Sequence, residues 1–83
     1  MEELIKLRAE EIEGIHLEST ELVDNTYAMN SAGETTHYYS LYKCKVAKTG
    51  AVVNYMIVVT SSSTSCIKPT SEDLERLFPE YHA

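Results

Sequence analysis

Two runs of strand-forming residues, separated by a short turn signal, constrain the fold of this chain most. Residues 38–48 and 51–61 are rich in aromatic and β-branched side chains, which favour strands. Thr49-Gly50 lies between them, and glycine readily adopts the positive φ that a tight hairpin turn requires. The sequence therefore predicts an antiparallel hairpin in which Lys48 lies opposite Ala51 and Tyr42 lies opposite Ile57.

This register divides the side chains of the hairpin between two faces. We expect the core on the face that holds Tyr42, Cys44, Val46, Val53, Tyr55 and Ile57. The other face is mixed, with lysines near the turn and apolar residues farther from it. It carries Tyr39, Leu41, Lys43, Lys45, Met56 and Val58. An exposed apolar patch requires a partner, so Leu41, Met56 and Val58 are the first candidates for a homodimer interface.

The segments on either side of the hairpin predict one further strand. Residues 20–29 alternate imperfectly, with Val23, Tyr27 and Met29 on one side, and residues 30–34 form a turn or loop. We therefore expect a three-stranded antiparallel meander with strands at about 20–29, 38–48 and 51–61. The polar run that follows, residues 61–67, fits either a strand or a loop.

Both ends of the chain have the spacing of helices. Residues 2–13 place Leu4, Ile5, Arg8, Ala9 and Ile12 on one helical face. Alternation of Ile5, Leu7 and Ala9 leaves a strand open as an alternative.

Near the other end, Pro69 precedes Thr70-Ser71-Glu72-Asp73, a hydroxyl cap with acidic residues in the first turn. This pattern predicts a short helix at about 71–78. Its apolar side consists of Leu74, Leu77, Phe78 and Tyr81. The fold class is then α+β, in a single domain over residues 1–83, because so short a chain cannot form two cores. We expect both helices to pack mainly on the Tyr42 face.

The order helix, three strands, helix resembles that of double-stranded RNA-binding domains. That family holds phosphates with lysines at the start of its final helix, where this chain has Ser71-Glu72-Asp73-Leu74-Glu75. Carboxylates at these positions repel a phosphate. The resemblance therefore covers topology only, and its RNA-binding function does not transfer to this chain.

Charge is sorted along the chain. The sequence has 13 acidic against 7 basic residues, a net charge of −6, yet no acidic residue lies between Thr35 and Ser71. Lysines at 43, 45, 48 and 68 are the only formal charges in that stretch. We interpret the sheet as partly cationic and the terminal helices as anionic. Acidic residues of the first helix, Glu10, Glu11 and Glu13, become candidate contacts for a basic partner.

The function that this pattern favours is a non-enzymatic protein-binding module. A small acidic inhibitor or regulator, of the phage or mobile-element type, would occlude a basic site on a nucleic-acid-handling protein. One alternative is a homodimeric adaptor or assembly subunit. A second is weak nucleic-acid binding through Lys43, Lys45 and Lys48, with Tyr39 as a stacking platform.

Other chemistries have little support in the sequence. The three histidines and two cysteines lack metal-ligand spacing, and no glycine motif could hold a phosphate, so we expect no cofactor. Cys44 reads as a core residue and Cys66 as a loop thiol; both are expected to be free, with a disulfide as the alternative. The N-terminus lacks the pattern of a signal peptide, and no apolar run could span a membrane, so the expected location is cytoplasmic.

Overall fold

The computed structural model describes residues 2–81 and confirms a small α+β domain. Helix α1, Glu2–Leu7, continues into a π-helical turn, Arg8–Ile12. Four antiparallel strands follow as a meander, in the spatial order β1-β2-β3-β4. They are β1 Leu17–Met29, β2 Thr35–Val46, β3 Val52–Val59 and β4 Thr64–Ile67. Helix α2, Ser71–Leu77, comes last.

The fourth strand resolves the ambiguity of the serine-rich segment. Thr60 and Ser63 form a tight turn in which the backbone N–H of Thr60 donates to the Ser63 carbonyl at 2.8 Å. The chain then reverses, and Thr64–Ile67 pairs with the end of β3. The sheet therefore has four strands rather than the predicted three.

The central hairpin forms where the sequence predicts it, but its register differs by two residues. Tyr42 lies opposite Tyr55, not Ile57. The loop holds four residues, because the N–H of Val46 donates to the carbonyl of Ala51 and the N–H of Gly50 donates to the carbonyl of Val46, each at 2.8 Å. Gly50 adopts a φ of 74°, as this tight turn requires. A shift of two residues leaves every side chain on its predicted face.

Strand β1 starts earlier than predicted and gives the molecule an elongated shape. Its 13 residues pair with β2 through three register shifts, one of which leaves Val23 as a bulge. β3 pairs with β2 only as far as Tyr38, so the end of β1 and the start of β2 project beyond the rest of the sheet. The longest dimension is 46 Å and the radius of gyration 13.3 Å, against about 12 Å for a typical domain of this length.

The two helices pack on opposite faces of the sheet, which corrects the expectation that both cover the Tyr42 face. The first core lies under α1 and contains Ile5, Ala9, Leu17, Tyr42, Cys44, Tyr55, Ile57 and Cys66. The second lies under α2 and contains Leu41, Met56 and Phe78, with Leu74, Leu77 and Tyr81 packed against it. Burial of the apolar residues on the second face stabilises the fold by about 25 cal/mol for each Å² of apolar surface removed from water. That gain explains why α2 covers them.

The π-helical turn changes which side chains of the first helix face the core. Its last backbone bond runs from the N–H of Glu13 to the carbonyl of Arg8, a spacing of five residues. The extra residue in the turn rotates Ile12 out of the predicted face, so that 69% of it is exposed. Ile5 and Ala9 are fully buried within the helix. The helix prediction is therefore confirmed and the strand alternative is excluded, but Ile12 does not share the face of Ile5 and Ala9 as the spacing predicted.

Helix α2 begins as predicted. The Thr70 hydroxyl accepts from the N–H of Asp73 at 3.2 Å, and the Asp73 carboxylate accepts from the N–H of Thr70 at 3.0 Å. This reciprocal pair is a capping box. Its hydrogen bonds, the one from the Thr70 backbone first, hold the pKa of Asp73 below its usual value. The cap fixes the direction in which α2 leaves β4.

Candidate interaction surface

The structure buries most of the proposed homodimer patch inside the domain. Leu41 is 0% exposed and Met56 2%, and both pack against Phe78 in the second core. Val58 is half-buried at the edge of the same cluster. The expectation of an exposed apolar surface here was wrong, because α2 packs on this face instead of on the other.

The lysines of the outer sheet face lie beside carboxylates of their own chain. Lys45 Nζ is 3.3 Å from Glu18 Oε2, and Lys43 lies opposite Glu21 in the pairing of β1 with β2. Tyr39 is half-buried and stacks on His37, with 5.8 Å between the ring centroids. The acidic residues of β1 belong to the sheet, so the division into a cationic sheet and anionic helices does not hold. Of the three predicted lysines, Lys45 forms an ion pair, Lys43 lies across the strand pair from Glu21, and Lys48 lies apart from both in the hairpin turn.

The three predicted acidic contacts have different environments. Glu10 is exposed, and its Oε1 accepts from the Nδ1–H of His16 at 3.0 Å. Glu11 is exposed beside a shallow apolar groove that Leu7 and Ile12 help to line. Glu13 is turned inward, which leaves two of the three carboxylates at the surface.

Glu13 joins a polar cluster beneath the π-helical turn. Its carboxylate lies 3.5 Å from Arg8 Nε and 3.4 Å from Lys68 Nζ, and Arg8 also donates to the carbonyl of Cys66 at 3.0 Å. Burial and the neighbouring Glu13 raise the pKa of Tyr55. Within the described residues, the Tyr55 hydroxyl is buried without a hydrogen-bond partner. The contacts with Cys66 and Lys68 tie the end of the helix to β4 and the residue that follows it, which is a structural role.

Both cysteines are free and buried in the first core. The expectation that Cys66 lies in a loop was wrong, because β4 places it on the face under α1. Burial, with smaller effects of Cys66 and Glu2, raises the pKa of Cys44 to about 11. Burial also raises the pKa of Cys66, although Arg8 opposes the shift. A thiolate nucleophile needs the opposite change.

The structure exposes a different apolar surface, which runs along β1 and the neighbouring start of β2. Tyr27 lies opposite Tyr38, and Leu22 lies opposite Tyr42, all on the face that α1 covers farther along. Met29 follows Tyr27 on the same side by strand alternation. Four side chains here are at least half exposed, and we call them the arm surface: Leu22 50%, Tyr27 58%, Met29 56% and Tyr38 56%.

Sequence reasoning did not identify the arm surface as a site. The alternation of residues 20–29 predicted that Val23, Tyr27 and Met29 lie on the same side of a strand. The bulge turns Val23 toward the second core instead. A bulge leaves no clear periodic signal in a single sequence, so the change of side between residues 22 and 24 was not predictable from alternation.

Carboxylates lie at both ends of the arm surface. A shallow trough of about 560 Å³ separates its near end from the start of α1, and its lining residues in the described chain are Glu2, Glu3, Leu22 and Tyr42. At the far end, the Asn30 side-chain oxygen accepts from the N–H groups of Ala32 and Glu34 and so fixes the loop that carries the Glu34 carboxylate.

Among residues 2–81, no cluster of three or more His, Cys, Asp or Glu side chains could hold a metal ion. Every helix in the same range is too short to cross a membrane. Comparison of the chain with family models, with curated proteins and with solved structures finds no match in any of the three.

Proposed function

We propose that this chain is a non-enzymatic protein-binding module, an acidic inhibitor or regulator that covers a basic site on a nucleic-acid-handling protein. The observation that carries this proposal is the distribution of charge in three dimensions. Four of the seven basic side chains, Arg8, Lys45, Lys68 and Arg76, form ion pairs within the chain. Many carboxylates stay exposed, Glu2, Glu3 and Glu11 among them. Such a surface attracts a basic protein and repels nucleic acid.

The carboxylates beside Lys45 and Lys43 weigh against direct nucleic-acid binding. A phosphate contact at Lys45 would have to displace Glu18, and one at Lys43 would meet Glu21 across the strand pair. Both carboxylates carry the charge of the incoming phosphate. The acidic surface supports a protein partner better.

The experiment begins with capture of a partner and then measures binding with purified components. A photo-crosslinking residue at position 11 is used in cells of the source organism, and the crosslinked protein is identified and purified. We expect its association to slow with rising salt and with the E10K/E11K substitutions. E75K/E80K, which reverses two exposed charges at the other end of the chain, is the matched control.

A second measurement tests the inhibitory part of the proposal. Adding the chain to the purified partner should reduce the partner's affinity for nucleic acid, and E10K/E11K should reduce that effect. A binding rate that is insensitive to salt and to E10K/E11K would contradict the electrostatic basis of the proposal. Undiminished nucleic-acid binding in the complex would contradict inhibition while leaving protein binding intact.

A further inference from the structure

We infer that the arm surface docks an apolar segment of the partner protein that is flanked by Lys or Arg residues. This inference rests on the proposed function and names the contact surface and the chemistry of the segment that occupies it. None of the four residues of the arm surface is among the contact residues predicted from the sequence, and neither helix of the domain covers the surface. Its four side chains are exposed by 50–58%.

The shape of the surface sets the size of the segment. Leu22 and Met29 are seven residues apart on β1, which corresponds to about 23 Å along a strand. An α-helix of about 15 residues has the same length. The trough between α1 and the sheet opens beside Leu22 and gives the surface a concave end. An amphipathic helix that lays its apolar side in such a groove is a common mode of recognition.

Charge complementarity decides between a foreign segment and a second copy of this chain. The Glu2 and Glu3 carboxylates line the trough at one end of the arm surface, and the exposed Glu34 belongs to the loop at the other. Two copies packed face to face about a twofold axis would bring carboxylates together in either orientation. Glu34 would lie toward Glu2 and Glu3 of the other copy when the axis runs across the strands, and each group would lie toward its own equivalent when the axis runs along them. Each chain also carries a net charge of −6, so like charges would oppose that dimer. A segment with basic ends is complementary at both ends.

Aromatic residues make this surface suited to binding. Tyr27 and Tyr38 offer large, rigid contact areas with few rotatable bonds, and such residues are enriched among those that dominate binding energy. The other exposed apolar groove, beside Leu7 and Ile12, includes Arg8 and Glu11 and so presents both charges. Of these two surfaces in the described chain, the arm surface is the one whose apolar side chains lie between carboxylates at both ends.

Synthetic peptides test the inference before the partner is identified. The main probe is a 16-residue amphipathic helix with leucines on one side and lysines elsewhere. Two comparison peptides replace all lysines by glutamate or all leucines by serine. Binding to the full chain is followed by amide chemical shifts. We expect the leucine–lysine peptide to shift residues 22–29 and 38–42, and each comparison peptide to bind at least about tenfold more weakly.

Matched variants assign the contributions of charge and of apolar contact. E2Q/E3Q should weaken the leucine–lysine peptide about three- to tenfold, as expected for two surface charges, while E72Q/E75Q on α2 should leave it unchanged. Y27S/Y38S should abolish the shifts, while V52S, at an exposed position near the hairpin turn, should not. Circular dichroism checks that each variant is folded.

The outcomes separate this inference from the proposed function. Equal binding of the leucine–lysine and leucine–glutamate peptides, or no binding of either at millimolar concentration, would overturn the inference. Arm-surface shifts that follow protein concentration, with a doubled mass in light scattering, would identify a second copy as the occupant and would also overturn it. In each case, the salt-dependent binding of the captured partner would still decide the proposed function.

Discussion

Tyr27 lies directly opposite Tyr38 across the β1–β2 pair, and more than half of each side chain is exposed. A cross-strand aromatic pair contributes roughly 0.2–1 kcal/mol to stability. We therefore expect Y27S/Y38S to lower the free energy of unfolding by less than about 1 kcal/mol, while it removes the largest apolar contacts of the arm surface. Urea denaturation followed by circular dichroism measures the change.

Val52→Ser is the control for this measurement, because Val52 is also an exposed strand residue, at the opposite end of the hairpin. A loss of several kcal/mol in Y27S/Y38S alone would show that the two tyrosines serve the fold, and would remove the reason to regard them as a contact surface.

Phe78 is the residue on which the attachment of α2 depends. It is 2% exposed and packs on Leu41 and Met56. Phe78→Ala should lower the free energy of unfolding by about 3–5 kcal/mol, the usual cost of a large cavity in a core. Phe78→Leu keeps more of the volume, so it should cost less and provide a folded variant if the alanine protein does not fold.

Glu75→Ala, at an exposed position of the same helix, controls for changes in helix propensity. Urea denaturation of the three variants gives the comparison. A cost of less than about 1 kcal/mol for Phe78→Ala, far below a core cavity, would mean that α2 does not cover Leu41 and Met56 in solution.

The central hairpin could be predicted from the sequence because strand alternation encodes the side of each residue. Tyr42 and Leu41 were placed on opposite faces, and that assignment survived a register error of two residues. Helix α2 could also be predicted from the sequence, because Thr70 and Asp73 determine its start through local hydrogen bonds. Local chemistry thus determined these two elements.

What the sequence could not indicate is how these elements pack. Leu41 and Met56 form an apolar patch whether α2 or a second protein covers it, so the side on which Phe78 lies cannot be read from periodicity. The π-helical turn is also invisible, because Ile12 fits an α-helical face in the sequence and leaves it only when one extra residue enters the turn. Both errors changed the set of accessible contact residues, because Leu41 is buried and Glu13 faces inward.

Cys44 should react slowly with thiol reagents in the folded protein. Burial raises its pKa from 9.0 to about 11. Two pKa units lower the thiolate concentration about a hundredfold near neutral pH, and burial also excludes the reagent. Ellman's reagent at about pH 8 should therefore label Cys44, in a Cys66→Ala variant, at least about a hundredfold more slowly than the same protein unfolded in guanidinium chloride. Rapid stoichiometric labelling of the native protein would contradict the burial of Cys44 and reopen the question of a reactive thiol.

The Asp73 carboxylate should make stability depend on pH in the acid range. Hydrogen bonds from Thr70 lower the pKa of Asp73 in the folded state below its unfolded value of 3.8. The ionised form is therefore favoured by folding, so its contribution is fully present above pH 3.8 and is lost as the pH falls through the lower folded pKa. Asp73→Asn keeps a side-chain acceptor for the Thr70 N–H but cannot ionise, which makes it the matched control.

The measured quantity is the difference between the free energies of unfolding of the native protein and of Asp73→Asn, from urea denaturation at a series of acid pH values. Other carboxylates titrate in both proteins, so their effects cancel in the difference. We expect the native protein to be the more stable of the two near neutral pH, and this advantage to shrink only below the unfolded pKa of Asp73. A difference that stays constant through the acid range would show that the capping box does not favour the ionised carboxylate. Loss of the difference already above that pKa would assign the pH dependence to another group.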